Sequence, residues 1–226
     1  MDKEYLKLLD ILLEKGNWIE GRNGRTLGIP FYSFTINAKD WMLSLRKMHY
    51  KGVKGEWDTL MDTKNPLTNV SQFEANGCPY WKLWAKEDGS LRLDYFDQLH
   101  PQLEDVIENI KKDPYSRRNV VNLWNHENVQ SGVLSLPPCW HEMIFTVINN
   151  TLHITWINRS LDVYYGLPAD VYLARLFLEH VSNETGIPFG DINFVSANVH
   201  LYENQTLAAE QLCAGLKPNY KPELKE

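Results

Sequence analysis

The chain has 226 residues, of which 43% are apolar and 23% charged, and a formal charge of −6. That balance is ordinary for a globular protein and argues against bulk nucleic acid as the main partner, which would favour a basic face. No apolar run approaches the ~20 residues of a membrane span, and the charged start "MDKEYLKLLDILLEKG" does not read as a secretory signal. Cys78, Cys139 and Cys213 are widely spaced and lack a CxxC, and the seven histidines show no HExxH spacing. Neither a disulfide framework nor a metal site is therefore expected, and the reading is a reduced, cytoplasmic protein. The length suits one large core, so a single domain over 1–226 is expected.

In chain order, Tyr5, Leu8, Leu9, Leu12 and Leu13 form one helical stripe across 3–15, ended by Gly16. "EGRNGR" reads as a glycine-broken loop carrying Arg22 and Arg25, and "TLGIPFYSFTI" as strand broken by Gly28 and Pro30. Residues 39–62 read as helical in parts, interrupted at Gly52 and Gly55, and 66–79 as loop. "LEDVIENIKKD" (103–113) has helical spacing and stops at Pro114, after which "RRNVVNLW" turns to a β-rich run. Asn149-Asn150 tolerates the positive φ of a tight hairpin between two strand-like runs. A long apolar helix follows over 170–186, with Asp170 near its start, and "INFVSANVHLY" reads as a last strand. Helices and hairpin-forming strands alternate without a βαβ rhythm. The fold class is therefore α+β, a largely antiparallel or mixed sheet packed by helices.

Chemistry concentrates in a few places. "LSLPPCW" (134–140) holds Cys139 behind two stiff prolines. A cysteine there is either a small core filler or an aimed thiol, and nearby arginines would lower its pKa. Arg22 and Arg25, Arg117 and Arg118, and the Arg159-Ser160 pair are each surface charge if taken singly. Taken together they are what a phosphate site uses: a guanidinium fork with a hydroxyl donor. Arg159 lies one strand beyond Cys139, across the predicted hairpin.

"DPYSRRNVVNLWN", "LPPCW", "NRSLDVYYGLPADV" and "NVHLYENQ", in that order, resemble the thymidylate synthase family, and "PYWKLW" and "MHYKGVKGEW" add to the likeness. The resemblance covers most of the chain. It implies the family's fold, a homodimer, a pyrimidine nucleoside monophosphate as substrate and 5,10-methylenetetrahydrofolate as co-substrate, with no metal. Residue by residue, it implies Cys139 as the nucleophile at pyrimidine C6 and Glu56 as the group organising water and protons. Tyr95 falls where a tyrosine sits over the cysteine. Arg159, Ser160 and one of Arg22 or Arg25 fall on the phosphate ligands, and Arg117 and Arg118 on the arginine pair lent across the dimer. His200 and Tyr202 match the 3′-hydroxyl pair, and Trp81, Trp84, Asp162 and Gly166 the folate-facing positions.

The chain departs from the family at "GLPADV", where the family asparagine that reads the base is replaced by Asp170. A carboxyl group accepts from cytosine's amino group and, when protonated, donates to N3. In this respect the chain resembles the deoxycytidylate hydroxymethylases of bacterial viruses, so dCMP hydroxymethylation is the expected activity. A dCMP methyltransferase, a dUMP-directed enzyme and an inactive nucleotide- or RNA-binding relative are the alternatives, and aspartate near a helix start is also a common N-cap. Trp140 replaces the histidine after the cysteine, Asn158 replaces a glutamine, and the stretch after Tyr95 is shorter. The family's long closing tail is not found beyond "KPNYKPELKE". A less sealed site fits addition of water, whereas hydride transfer prefers a dry one.

Overall fold

The architecture was obtained as a computed structural model, which describes residues 1–93 and 95–222. Residues 223–226, the end of the expected domain and of the short tail, lie outside the described residues.

Helix α1 (Asp2–Lys15) buries Tyr5, Leu8, Leu9 and Leu12 on one stripe, as its spacing predicts. Strands β1 (Asn17–Gly21) and β2 (Gly24–Ile29) form a hairpin with Arg22 and Asn23 at its turn. What reads in sequence as a loop is thus mostly strand, and Arg25 belongs to β2. The break before β3 (Tyr32–Asn37) falls at Pro30 alone, because Gly28 keeps its place in the ladder opposite His200. Helix α2 (Tyr50–Leu60) runs through Gly52 and Gly55. A Cβ at Gly55 would stand 2.1 Å from the Asn76 carbonyl oxygen, so glycine there lets α2 lie against the 76–78 segment. A short α3 (Ser71–Ala75) interrupts the expected loop.

Helix α4 (Tyr95–Lys112) begins earlier than its apolar spacing indicates and accommodates Pro101. Only Val120–Asn122 of the next run becomes strand β4, followed by short α5 (His126–Gln130). Strands β5 (Trp140–Ile148) and β6 (Thr151–Asp162) make the expected hairpin, with Asn149 and Asn150 at φ 49° and 56°. Helix α6 (Gly166–Thr185) is apolar nearly all round and ends at Gly186 with φ 72°, the left-handed cap that glycine adopts freely. Strand β7 (Phe189–Tyr202) and helix α7 (Thr206–Cys213) complete the chain.

The sheet order is β1-β2-β7-β6-β5-β4, and β3 also pairs with β7. All pairings are antiparallel except β6 with β7, which run parallel and are joined through α6. The α+β class with a mixed sheet holds, but one βαβ unit is present that the chain's hairpin rhythm conceals. α6 buries Leu167, Val171, Ala174, Phe177, Leu178 and Val181 in a core shared with Trp156, Ile192 and Phe194 of the sheet. The C-terminal ends of β6 and β7 and the start of α6 therefore meet at one place.

Candidate active site

At that place lies a cleft of about 1050 Å³, lined by residues from α2, the 80–84 turn, α4, β5, β6, α6, β7 and the chain end. Of the residues singled out from sequence, Arg22, Glu56, Trp81, Trp84, Tyr95, Cys139, Arg159, Ser160, Asp162, Gly166, Asp170, His200 and Tyr202 all line it. Arg25 does not. It pairs with Glu20 and Glu203 and lies over Trp18, so Arg22 at the hairpin turn is the arginine of this pair that reaches the cleft. Arg117 and Arg118 are exposed and outside it, and Arg118 borders a separate, smaller hollow.

Cys139 sits immediately before β5, with part of its surface open. Its carbonyl accepts from the Arg159 backbone N–H at 2.9 Å, which ties it to β6. The Arg159 guanidinium donates to the carbonyls of Pro137 (3.0 Å) and Pro138 (2.9 Å), and its Nη2 lies 4.0 Å from Cys139 Sγ. The two prolines thus carry acceptors that hold Arg159 beside the sulfur. The expected low pKa is not found. Burial raises the thiol, Arg159 opposes this, and Asp170 and Asp162 add to the rise. Enclosure by apolar groups and carboxyls outweighs one guanidinium.

The cross-strand registers assemble the other polar groups. Asp162 faces His200 and Ser160 faces Asn198 across the parallel β6–β7 pair, while Thr26 faces Tyr202 across β2–β7. His200 Nδ1 lies 2.8 Å from Asn198 Oδ1, which leaves Nε2 for other partners. Asp162 accepts from the backbone N–H groups of Tyr164 (2.9 Å) and Tyr165 (3.2 Å), and from Gln205 Nε2 (3.0 Å). Burial raises Asp162 and lowers His200.

On the opposite wall, burial pushes Glu56 up to about 7 against a hydrogen bond from Trp81. The Tyr95 ring lies 4.8 Å from Trp140 and 6.0 Å from Trp81, and its hydroxyl is hydrogen-bonded to the Cys139 backbone. Trp140, where the family has a histidine, is buried against Tyr95 and Trp156 and continues the aromatic wall.

Asp170 is not the N-cap that sequence position allows. α6 begins at Gly166, and Asp162 accepts from the backbone ahead of it. Asp170 stands inside the first turns, where its Oδ2 accepts from Asn158 Nδ2 at 2.6 Å. Burial pushes its carboxyl up to about 8, with Glu56 and Asp162 adding to the rise and Asn158 opposing it. Near neutral pH it is largely the acid, a donor as well as an acceptor.

Several lining residues carry no local sequence signal. Arg46 and Lys47 precede α2, and Lys217, Pro218, Tyr220 and Lys221 bring the chain end to the cleft mouth. The Tyr165 hydroxyl donates to the Pro222 carbonyl at 2.5 Å and the Arg46 guanidinium lies over the Tyr164 ring. The short C-terminal stretch thus contributes to the cleft wall.

A thiol, a flanking guanidinium, paired aromatic walls and carboxyls raised by burial around one deep cleft suit an enzyme that adds sulfur to a flat, anionic small molecule. The comparisons give the class its family. The thymidylate synthase family profile matches residues 3–225. Thymidylate synthases from Buchnera aphidicola subsp. Acyrthosiphon pisum, strains APS and Tuc7, are each 30% identical over 93% of this chain and 83% of their own. The chain belongs to the thymidylate synthase family, folate-dependent transferases of one carbon to C5 of a pyrimidine nucleotide whose members act as dimers.

The cleft fits a folate beside a nucleotide. It has the volume, an aromatic wall from Tyr80, Trp81 and Trp84, and the Asp162 carboxyl near the start of α6. When bound, that group supplies the one-carbon unit. Among the described residues no cluster of three metal-ligating side chains occurs, and no helix is long and apolar enough to cross a membrane.

Proposed function

We propose that the protein is a deoxycytidylate C5 hydroxymethyltransferase, joining dCMP, methylenetetrahydrofolate and water to give 5-hydroxymethyl-dCMP and tetrahydrofolate. In this reading the Cys139 thiolate adds to C6, which makes C5 enamine-like and able to attack the one-carbon unit. Arg22, Arg159 and Ser160 hold the phosphate, with Arg117 and Arg118 supplied by the second copy. His200 and Tyr202 hold the 3′-hydroxyl, and Glu56 and Tyr95 handle protons and water. Asp170 reads the base, and Trp81, Trp84, Asp162 and Gly166 face the folate. The phosphate contacts neutralise charge close to the sulfur and favour its thiolate once nucleotide is bound.

One observation supports the choice of cytosine: Asp170 opens into the cleft as a carboxyl raised to about 8, which matches cytosine's N3 and amino group once its proton is held on one oxygen. An inactive nucleotide- or RNA-binding relative is disfavoured by the charge of −6 and by Cys139 and Glu56 both lining the cleft. Incubation with dCMP, CMP or dUMP and the folate, followed by product mass measurement, tests the reading. Turnover confined to dUMP would overturn it. A methyl product, lighter by one oxygen, would mark a methyltransferase. That second reading is favoured by Lys217, Pro218, Tyr220 and Lys221 lining the cleft, since hydride transfer prefers a more enclosed site.

A further inference from the structure

A neutral carboxyl does not by itself tell cytosine from uracil. Its hydroxyl and carbonyl can exchange, so it matches cytosine's acceptor at N3 and donor at position 4, or the reverse pair on uracil, equally well. Discrimination needs the proton held on one oxygen. We propose that Asn158 is the positioning residue that does this: by donating to Asp170 Oδ2 it leaves the proton on Oδ1, and so sets which base the site accepts. The inference rests on the reading of Asp170 as the base-contacting group.

Three observations support it. Asn158 is 1% exposed, and its Nδ2 lies 2.6 Å from Asp170 Oδ2, so the contact is made away from solvent. An oxygen that already accepts from an amide is the poorer place for the acid proton. Second, Asn158 follows Trp156 by two positions on β6 and stands opposite Ser196 in the parallel β6–β7 register. Asn158 Oδ1, Ser196 Oγ and Trp156 Nε1 are all buried without hydrogen-bond partners among the described residues. Ser196, itself 1% exposed, stands opposite Asn158 in the register, and its unbonded hydroxyl is a donor that would pair with the unbonded amide oxygen on turning towards it. A hydroxyl turned that way would favour the amide orientation that sets Nδ2 towards Asp170, the orientation that the 2.6 Å bond already shows. Third, the other ionisable groups around Asp170 do not select between its oxygens by hydrogen bonding. Glu56 of α2, Asp162 of β6, Tyr95 of α4 and Cys139 ahead of β5 act on it through charge.

In this arrangement Asp170 Oδ1–H faces cytosine N3, and Oδ2 accepts from both Asn158 and the cytosine amino group. Uracil would set its N3–H against Oδ1–H and O4 against an oxygen with no proton.

The test uses the full-length protein, with two readouts in Asn158→Leu and Ser196→Ala. Carboxyl-region ¹³C NMR of aspartate-labelled protein follows Asp170, its resonance identified by its loss in Asp170→Asn. Removing the Asn158 donor is expected to move the Asp170 titration upward by about one pH unit, and removing Ser196 to move it the same way by less. The ratio of kcat/KM for dCMP over dUMP should fall about tenfold in Asn158→Leu and about threefold in Ser196→Ala. An unchanged Asp170 titration in both variants overturns the coupling. A shifted titration with an unchanged nucleotide ratio overturns the specificity role. Wild-type protein that turns over dUMP alone, while the titration still shifts in the variants, sinks the cytosine reading and leaves the Asn158–Asp170 coupling standing.

Discussion

Asp170→Asn is predicted to stabilise the protein at neutral pH while reversing its base preference. The carboxyl is raised from its ordinary 3.8 to about 8. Between those values the unfolded chain ionises it and the folded protein keeps it protonated, so the unfolded state binds fewer protons. The stability contributed by the acid form is fully present below about 4 and is lost as pH rises through about 8. At about 1.4 kcal/mol per unit, a shift of this size corresponds to on the order of 5 kcal/mol at pH 8. Relaxation and water entry reduce such burial penalties, leaving an observable effect on the order of 2 kcal/mol. Asparagine carries no charge, still accepts from Asn158, and removes the pH dependence. Urea unfolding at pH 4.5, 6, 7 and 8 should give curves for the two proteins that coincide at the acid end and diverge upward for the variant. Parallel curves would refute the raised carboxyl. The same substitution replaces an exchangeable acid with an amide, so dUMP turnover should rise relative to dCMP by at least ~30-fold, the value of one to two mispaired buried contacts. An unchanged preference would remove Asp170 from base recognition.

Cys139→Ser should abolish turnover while leaving dCMP affinity within about threefold, as titration calorimetry would show, because the hydroxyl occupies the same space without a thiolate's nucleophilicity. Glu56, raised to about 7 by burial, ionises as pH climbs through neutrality. The rate profile should carry an inflection near 7 that disappears in Glu56→Gln, with residual activity lower by ~10²–10⁴. Arg159→Leu strips the Pro137 and Pro138 carbonyls of their side-chain donors and should lower the unfolding free energy by about 2 kcal/mol. It also removes the cation nearest Sγ, so alkylation of Cys139 by iodoacetamide at pH 8 should slow several-fold; an unchanged rate would show that Arg159 does not tune the sulfur.

The strongly periodic elements were legible in the sequence: the α1 stripe, the Asn149-Asn150 hairpin and the apolar run of α6 ended by Gly186. The β6–α6–β7 crossover was not. Hairpin residues mark local turns, whereas the β6–β7 pairing is set by burial at long range, and "INFVSANVHLY" reads the same in a parallel or an antiparallel ladder. α2 runs through two glycines that local propensity counts as breaks, because close packing on the 76–78 segment excludes any side chain at Gly55. Within the site, residues that sit in recognisable strings could be picked out, but the choice between Arg22 and Arg25 required the hairpin turn. Arg46, Lys217 and Lys221 come from segments far apart in sequence and have no common pattern to read. The direction of the Cys139 shift differs from the sequence expectation for a related reason: a neighbouring arginine is visible in sequence, while the burial and the two carboxyls that outweigh it are properties of the folded cleft.

Those carboxyls also explain how a chain of charge −6 forms a pocket for a nucleotide monophosphate and an acidic folate. Arg22, Arg46, Lys47, Arg159, Lys217 and Lys221 line the cleft, along with Glu56, Asp162 and Asp170. Were the three acids ionised, they would offset half of those cations at the point where phosphate must bind. Burial raises all three and so reduces the negative charge they carry near neutrality. The local field is then more positive than the formal charges imply, and it weakens as pH rises through about 7 and about 8, where Glu56 and Asp170 ionise. Nucleotide affinity should therefore decline across that range, and Asp170→Asn should blunt the decline. A flat affinity profile from pH 6 to 9, measured at constant ionic strength, would show that the cations act alone.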